Sequence, residues 1–272
     1  MKQMIYLEFS NCIKSTKYKI TFILLYLISI SAFLINCSKS YGCSLSLIRS
    51  ASDMSINMGT TSGLTRDIII LLLPLLALLL YSDSFLTDLS TGVYKNITTR
   101  ISKKKYMAAK IIVTFLVTLF TFFIILFMNE VLTAITFPLK GYDNNFAFPA
   151  YDIGYYNYNK KLFLDLVRVE NPYLYNMIFM VIISLVAALL AVLSLMISFI
   201  VKGKKVQIFF NIFIIYILSD ICLDQLNLSK FSIKTYLYSL KEGSTSILLS
   251  WISILLLVII GMFIYEQRQD LL

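Results

Sequence analysis

The chain has 272 residues, 58% of them hydrophobic and 14% charged, with a mean hydropathy of +0.80 and a formal net charge of +9. Soluble domains carry about 45–50% apolar and about 25% charged residues, so this composition excludes a soluble globular protein and points to an integral membrane protein. The sequence contains no histidine, which removes imidazole zinc sites, Ser-His nucleophilic pairs and histidine proton shuttles.

The apolar residues come in blocks separated by polar clusters. That is the pattern of several helices crossing a hydrocarbon core of about 30 Å, each needing roughly 20 residues, and not the alternating pattern of barrel strands. The expected architecture is all-α: one membrane domain over residues 1–272, with six transmembrane helices after an N-terminal amphipathic helix in the headgroup layer. Cys12, Cys37, Cys43 and Cys222 are too scattered for a metal cluster or a disulfide scaffold. Cys37 and Cys43 either pair outside the cell or stay free, and free thiols fit the spacing better.

Residues 1–19 carry Lys2, Lys14, Lys17 and Lys19. As a helix they place Ile5, Tyr6, Phe9, Cys12 and Ile13 on one face, with Ser10, Asn11, Lys14 and Lys17 opposite. This reads as an interfacial helix; the competing reading is a basic leader before a cleaved signal segment. Span 1 is expected at about 20–36, followed by a polar stretch to Asp67. Span 2, at about 66–82, has an uninterrupted apolar run only from Ile68 to Tyr81, with Pro74 at its middle. Either neighbouring helices pack around a kink, or the helix continues into its polar flanks.

Span 3 is expected at about 107–136, with Asn129 and Glu130 near its far end. The segment from Phe137 to Asn171 holds Pro138, Gly141, Pro149 and Gly154 and a cluster of aromatics, Phe146, Phe148, Tyr151, Tyr155, Tyr156 and Tyr158, which reads as an interfacial belt. Asn171-Pro172 is an N-cap followed by proline at the first helical position, opening span 4 at 172–201. The turn at 202–205 makes spans 4 and 5 antiparallel neighbours, with span 5 at 206–223. Asp224 to Gly243 is polar, with room for one short surface helix. Ser244, Thr245 or Ser246 caps span 6 at about 246–265.

Fourteen of the 24 basic residues fall on the side of the leader, the loop from Lys95 to Lys110, the 202–205 turn and Arg268. They crowd against span ends in short segments, so the positive-inside rule puts both termini and the loop between spans 2 and 3 in the cytoplasm of a multi-pass cell-membrane protein. The net charge then follows topology and anionic lipid, and signals no nucleic-acid partner.

No Walker A pattern occurs: Gly92 is followed by Val-Tyr-Lys-Asn-Ile-Thr, without the phosphate-cradling spacing. The chain is therefore not expected to be an enzyme by itself or to bind a cofactor. Glu130 and Asp220 lie near span ends while the span centres are Leu, Ile, Phe and Val, which weakens ion-coupled transport. Gln207 and Asn211, at i and i+4 on span 5, read equally as a pathway-facing stripe or as interhelical hydrogen bonds.

The loop between spans 2 and 3 carries the functional signal. Ser84-Phe85-Leu86-Thr87-Asp88 extends as a helix, Gly92 stops it, and Thr99-Arg100-Ile101-Ser102-Lys103 leads to Tyr106 and Lys110 opening span 3. An acidic residue, a glycine soon after, a turn, then Tyr and Lys, set between spans 2 and 3 of a six-span layout, resembles the permease subunits of type 2 ABC exporters. Asp88 stands where that family more often has glutamate, and Arg100 where it commonly has proline.

The resemblance implies a cytoplasmic coupling helix, with Phe85, Asp88, Leu89 and Gly92 meeting a separate ABC ATP-binding subunit that holds ATP-Mg. It also implies a second permease chain, as homodimer or heterodimer, and a pathway lined largely by spans 2 and 5, with Pro74, Gln207 and Asn211 as its candidate lining residues. The greasy span interiors suit an amphipathic peptide or hydrophobic drug as cargo. Three other readings remain: an ion-coupled secondary transporter, a membrane immunity or anchoring protein, and a loop that only sets topology.

Overall fold

The computed structural model describes residues 1–44, 48–139, 158–201 and 205–268. The described residues are helical, with no strand among them beyond one isolated bridge between Leu162 and Glu242. Six helices are long and apolar enough to cross a membrane: α2 (Thr16–Ser40), α3 (Gly63–Tyr81), α6 (Lys103–Thr136), α8 (Pro172–Val201), α9 (Lys205–Gln225) and α10 (Thr245–Arg268). Between them lie α1 (Lys2–Lys14), α4 (Ser84–Ser90), α5 (Val93–Thr98) and α7 (Asp165–Glu170). The protein is a helical, multi-pass membrane protein.

α8 is the axis of the bundle. Its most apolar stretch is 78% buried, against 17% for α9 and 11% for α10, which therefore lie at the periphery of a single chain. Small residues make this close packing attainable: Ser184, Ala187, Ala188, Ala191, Ser194 and Ser198 are all buried, and α6 lies along them with Thr114, Thr118 and Thr121 inward. Between helices in lipid there is little hydrophobic drive, so close backbone approach and internal hydrogen bonds hold the bundle. α6 has 34 residues, roughly 51 Å at 1.5 Å per residue, so it projects beyond a core of about 30 Å.

Local chemistry sets the helix ends. Ser15 separates α1 from α2: its backbone is extended, and its hydroxyl accepts the Tyr18 N–H at 3.2 Å. The first crossing thus begins at Thr16, within the expected leader. α3 extends from the apolar run into its polar N-terminal flank, reaching Gly63, which gives it a full crossing of 19 residues. Asn171 caps α8 by accepting the Leu174 N–H at 3.0 Å, with Pro172 at the first helical position.

Pro74 is buried inside α3 and lacks the N–H that would bond the Ile70 carbonyl one turn back. The Tyr216 hydroxyl of α9, itself buried, donates to that carbonyl at 3.1 Å. The proline thus creates the acceptor that ties α9 to α3.

The connection from α9 to α10 departs from the expected surface helix. It forms two short 3-10 turns, Ser229–Phe231 and Ile233–Leu237, and Ile233, Tyr236 and Leu237 pack into the bundle. Phe163 meets Tyr236 edge-on at 5.3 Å, and Gly243 sits against the Tyr236 ring where a Cβ would approach to 2.6 Å. The turn at 202–205 falls almost wholly, and the aromatic cluster from Phe146 to Tyr156 wholly, outside the described residues. Tyr158 is described and is exposed.

Replacing Tyr216 by phenylalanine should lower stability by about 1 kcal/mol, the scale of an interhelical hydrogen bond in a membrane. In a Pro74→Ala background, which restores the missing N–H, the same substitution should cost much less. Thermal unfolding of the two single variants and the double variant checks this coupling; strictly additive effects would contradict it.

Candidate functional site

The strongest concentration of buried charge lies at the end of the bundle where α1, the C-terminus of α3, α4 and the N-terminus of α6 meet. Lys110, one residue past the first two turns of α6, is only 1% exposed. Its Nζ lies 2.9 Å from the Glu8 carboxylate of α1 and 2.8 Å from the Asp88 carboxylate of α4. The same oxygen of Asp88 accepts the Tyr106 hydroxyl at 2.7 Å, and the Glu8 oxygen that meets Lys110 also accepts the Tyr81 hydroxyl. The ammonium lies 5.2 Å and 5.5 Å from the ring centroids of Tyr106 and Tyr81.

A buried cation costs heavily unless paired and hydrogen-bonded, so this cluster requires α1 and α4 to be docked. Two carboxylates serve one lysine, and both tyrosines supply the extra donors. Further pairs close the same end: Lys17 with Asp83, and Lys103 with Glu266 at 2.8 Å, which tethers the end of α10. Cys12 of α1 sits inside this layer. Burial, then the Glu8 charge, push its thiol up to about 12 against the opposing effect of Lys110, so it stays protonated throughout the neutral range.

The stretch read as a docking helix forms α4, which ends before Gly92, and a second short helix, α5, follows it. Gly92 separates α4 from α5 in the left-handed region, φ 76°, which glycine adopts without strain. The four candidate residues of the loop divide by direction. Phe85 is buried, 4.2 Å from the Phe199 ring and edge-on to Tyr94 at 5.5 Å. Asp88 faces inward to Tyr106 and Lys110. Leu89, 37% exposed, and Gly92 form the tip, with Thr91 and Val93 also exposed. A cleft of about 340 Å³ opens between the α1–α2 junction and α4, lined by Asn11, Lys17, Tyr81, Asp83, Thr87 and Asp88 among others.

The other candidates are not gathered here. Pro74 is buried within α3, whereas Gln207 and Asn211 are exposed on α9 along a stripe with Ile215 and Leu218.

Glu8 is the member that sequence reasoning missed. The apolar face expected for α1 is split by the fold: Met4, Glu8 and Cys12 turn inward, and Tyr6, Phe9 and Ile13 stay exposed. The available signal was a lone acid at i+4 and i−4 from two residues able to pack, in a leader otherwise basic.

Removing the cation should be costly. Lys110→Met leaves two carboxylates facing each other, and breaking a buried pair in this way commonly costs about 3–5 kcal/mol. The expected result is a lower unfolding temperature together with maleimide labelling of Cys12, which the intact protein should resist. A Lys110→Met chain with unchanged stability and a protected Cys12 would show that the pairs do not hold α1.

Compared with family models, curated proteins and solved structures, the chain matches none of them.

Proposed function

We propose that this chain is the membrane permease subunit of an ATP-driven exporter of the type 2 ABC kind. In this reading it works with a separate ATP-binding subunit, which holds ATP-Mg, and with a second permease chain. Its own residues bind no nucleotide. The observation that carries the proposal is the tie from Asp88 to Tyr106 and Lys110, and through Lys110 to Glu8. It joins the acid of the α4 loop to the Tyr and Lys opening span 3, the same residues on which the resemblance rests.

The tie gives the loop a mechanical role. A partner pressing on the tip at Leu89 and Gly92 meets an element pinned to α1, α3 and α6, so displacement passes to the spans. Electrostatic contacts with charged side chains of the ATPase would add orientation and association rate at the adjacent cleft. α1 serves as the interfacial helix, with Tyr6, Phe9 and Ile13 toward lipid headgroups. Both termini and the α4 loop lie in the cytoplasm in this reading.

The second permease chain covers the thinly packed α9 and its exposed amides Gln207 and Asn211, which otherwise face lipid without partners in an apolar helix. The cargo passing between the chains is an amphipathic peptide or hydrophobic drug. An ion-coupled secondary transporter is the second reading; the buried carboxylate of Glu130 favours it.

The two faces of α4 should respond differently to mutation. Leu89→Asp alters the exposed tip alone, so membrane level and Cys12 protection should be normal while co-purification of the ATPase and export fall at least several-fold. Asp88→Lys sets a second cation beside Lys110 and should lose both Cys12 protection and coupling. On intact cells an impermeant maleimide should label Cys43 and Cys222, both exposed, and not a cysteine introduced at 95–105. Normal complex formation and export by the Leu89 variant, or labelling of the loop from outside, would remove the coupling reading. Transport by the isolated chain in liposomes on an ion gradient alone would replace it with the second.

A further inference from the structure

At the end of the bundle away from α4, residues 48–62 run between α2 and α3 as irregular chain, yet everything from Ser50 to Met58 is buried. Irregular backbone inside a membrane protein needs its polar groups satisfied by neighbours. Three buried asparagines, one from each of three helices, do this. Asn36 of α2 donates to the Met54 carbonyl, and Asn129 of α6 accepts the Ile56 N–H at 2.9 Å. Asn176 of α8 donates through Nδ2 to the Ser52 carbonyl at 2.9 Å.

The third anchor is crowded with oxygen. Besides Ser52, Asn176 Nδ2 lies 3.0 Å from Ser55 Oγ and 3.1 and 3.2 Å from the two carboxylate oxygens of Glu130. A primary amide has two N–H groups and meets four oxygens here. Asn176 is 0% exposed and its Oδ1 has no hydrogen-bond partner. Turning the amide over repairs nothing by itself, because Oδ1 would then face the same four oxygens with no positive charge among them. Glu130 is 7% exposed, and no lysine or arginine among the described residues pairs with it. The titratable groups facing it are Asp53 of the buried segment and Tyr173 of α8, and neither is cationic.

An oxygen-rich cluster with one carboxylate in direct contact, a buried orphan carbonyl and no base paired with Glu130 among the described residues is the donor set of a hard cation of single charge. We propose that Glu130, Ser52, Ser55 and Asn176 form a sodium site, reached past the slightly exposed Glu130, whose occupancy locks residues 48–62 into the bundle. The carboxylate supplies the charge, and the Ser52 carbonyl, Ser55 hydroxyl and Asn176 Oδ1 supply neutral ligands after a rotation of the amide. The site does not depend on the export reading, since it uses no residue of the α4 end.

The test uses the full chain in lipid nanodiscs, with Cys37, Cys43 and Cys222 replaced by serine so that the buried Cys12 thiol reports unfolding. Melting is compared in NaCl, KCl and choline chloride at equal ionic strength. Sodium should raise the midpoint by about 3 °C in a saturable way, as expected for a ligand bound to the folded state alone. Potassium should do less, and choline should do nothing. Glu130→Gln should abolish the sodium response while keeping the amide contacts. Should that variant not fold, Ser55→Ala should shift the sodium titration to higher concentration. Equal melting in sodium and choline, or an undiminished sodium response in the foldable variants, would overturn the proposal. So would stabilisation by acid with no sodium response, which would assign the site to a proton.

Discussion

Lys110 is the constraint around which one end of this protein is built. Its ammonium is out of water, so two carboxylates from elements far apart in sequence have to reach it: Glu8 from α1 and Asp88 from α4. Neither contact stabilises much on its own, because desolvation offsets most of the attraction within a buried pair. The cost lies in leaving any member alone. That asymmetry makes the docking of α1 and α4 conditional on each other, and it turns a surface loop into a part of the bundle. Phe85 against Phe199 then adds an apolar contact to α8 on the same element, so α4 is held by charge on one side and by aromatic packing on the other.

The opposite end solves a different problem with neutral groups. An irregular segment is taken inside, and its backbone is matched by amides projecting from three separate helices. Amides suit this task since each offers donors and an acceptor without the desolvation cost of a charge. Gly59 completes the segment in the left-handed region, and the Arg66 guanidinium packs where a Cβ would stand while donating to the Met58 carbonyl at 2.9 Å. Between the two ends the small residues of α8 allow close packing and little else. Among the described residues, the charged side chains of the spans are thus confined to the span ends.

What could be read from the sequence follows from how local each signal is. The six spans, the Asn171-Pro172 start and the Gly92 break all rest on residues near one another in the chain, while the reach of α3 into its polar flank is one of two alternatives those residues leave open. Glu8 does not: its inward direction is set by a lysine 102 positions away, while its neighbours suggested a different buried face. The segment 48–62 has the composition of a solvent loop. Only Asn36, Asn129 and Asn176, each near the end of a span, hint that a polar chain is housed between them, and amides at span ends are common enough to pass unnoticed. The 226–244 connection misled in the same way, since Ile233, Tyr236 and Leu237 bury against α8 without forming a regular surface helix. Within the α4 loop the stretch was legible but the direction of its side chains was not, because Asp88 and Leu89 are neighbours about 100° apart around one helix, and only Asp88 meets partners inside the bundle.

α6 supplies a formally charged residue to both ends, Lys110 to one and Glu130 to the other, 20 residues and about 30 Å apart along its axis. Along most of that length it lies against α8, whose Asn176 joins Glu130 and whose Phe199 joins Phe85. A helix pair packed through small residues at this density bends little, since moving one side chain displaces its neighbours. In the export reading, a displacement imposed at α4 would therefore pass to α6 and α8 together. The elements with freedom to respond separately are α9 and α10, which have few buried positions of their own. α9 is held to α3 by the bond from Tyr216 to the Ile70 carbonyl, and at its far end Asp220 meets Ser232 and Lys234. In the export reading proposed for this chain, a pathway that opens and closes is most easily built on that side of the bundle. There α9 buries only Ile208, Ile212 and Tyr216 among its described residues, and the exposed amides of Gln207 and Asn211 break the apolar surface.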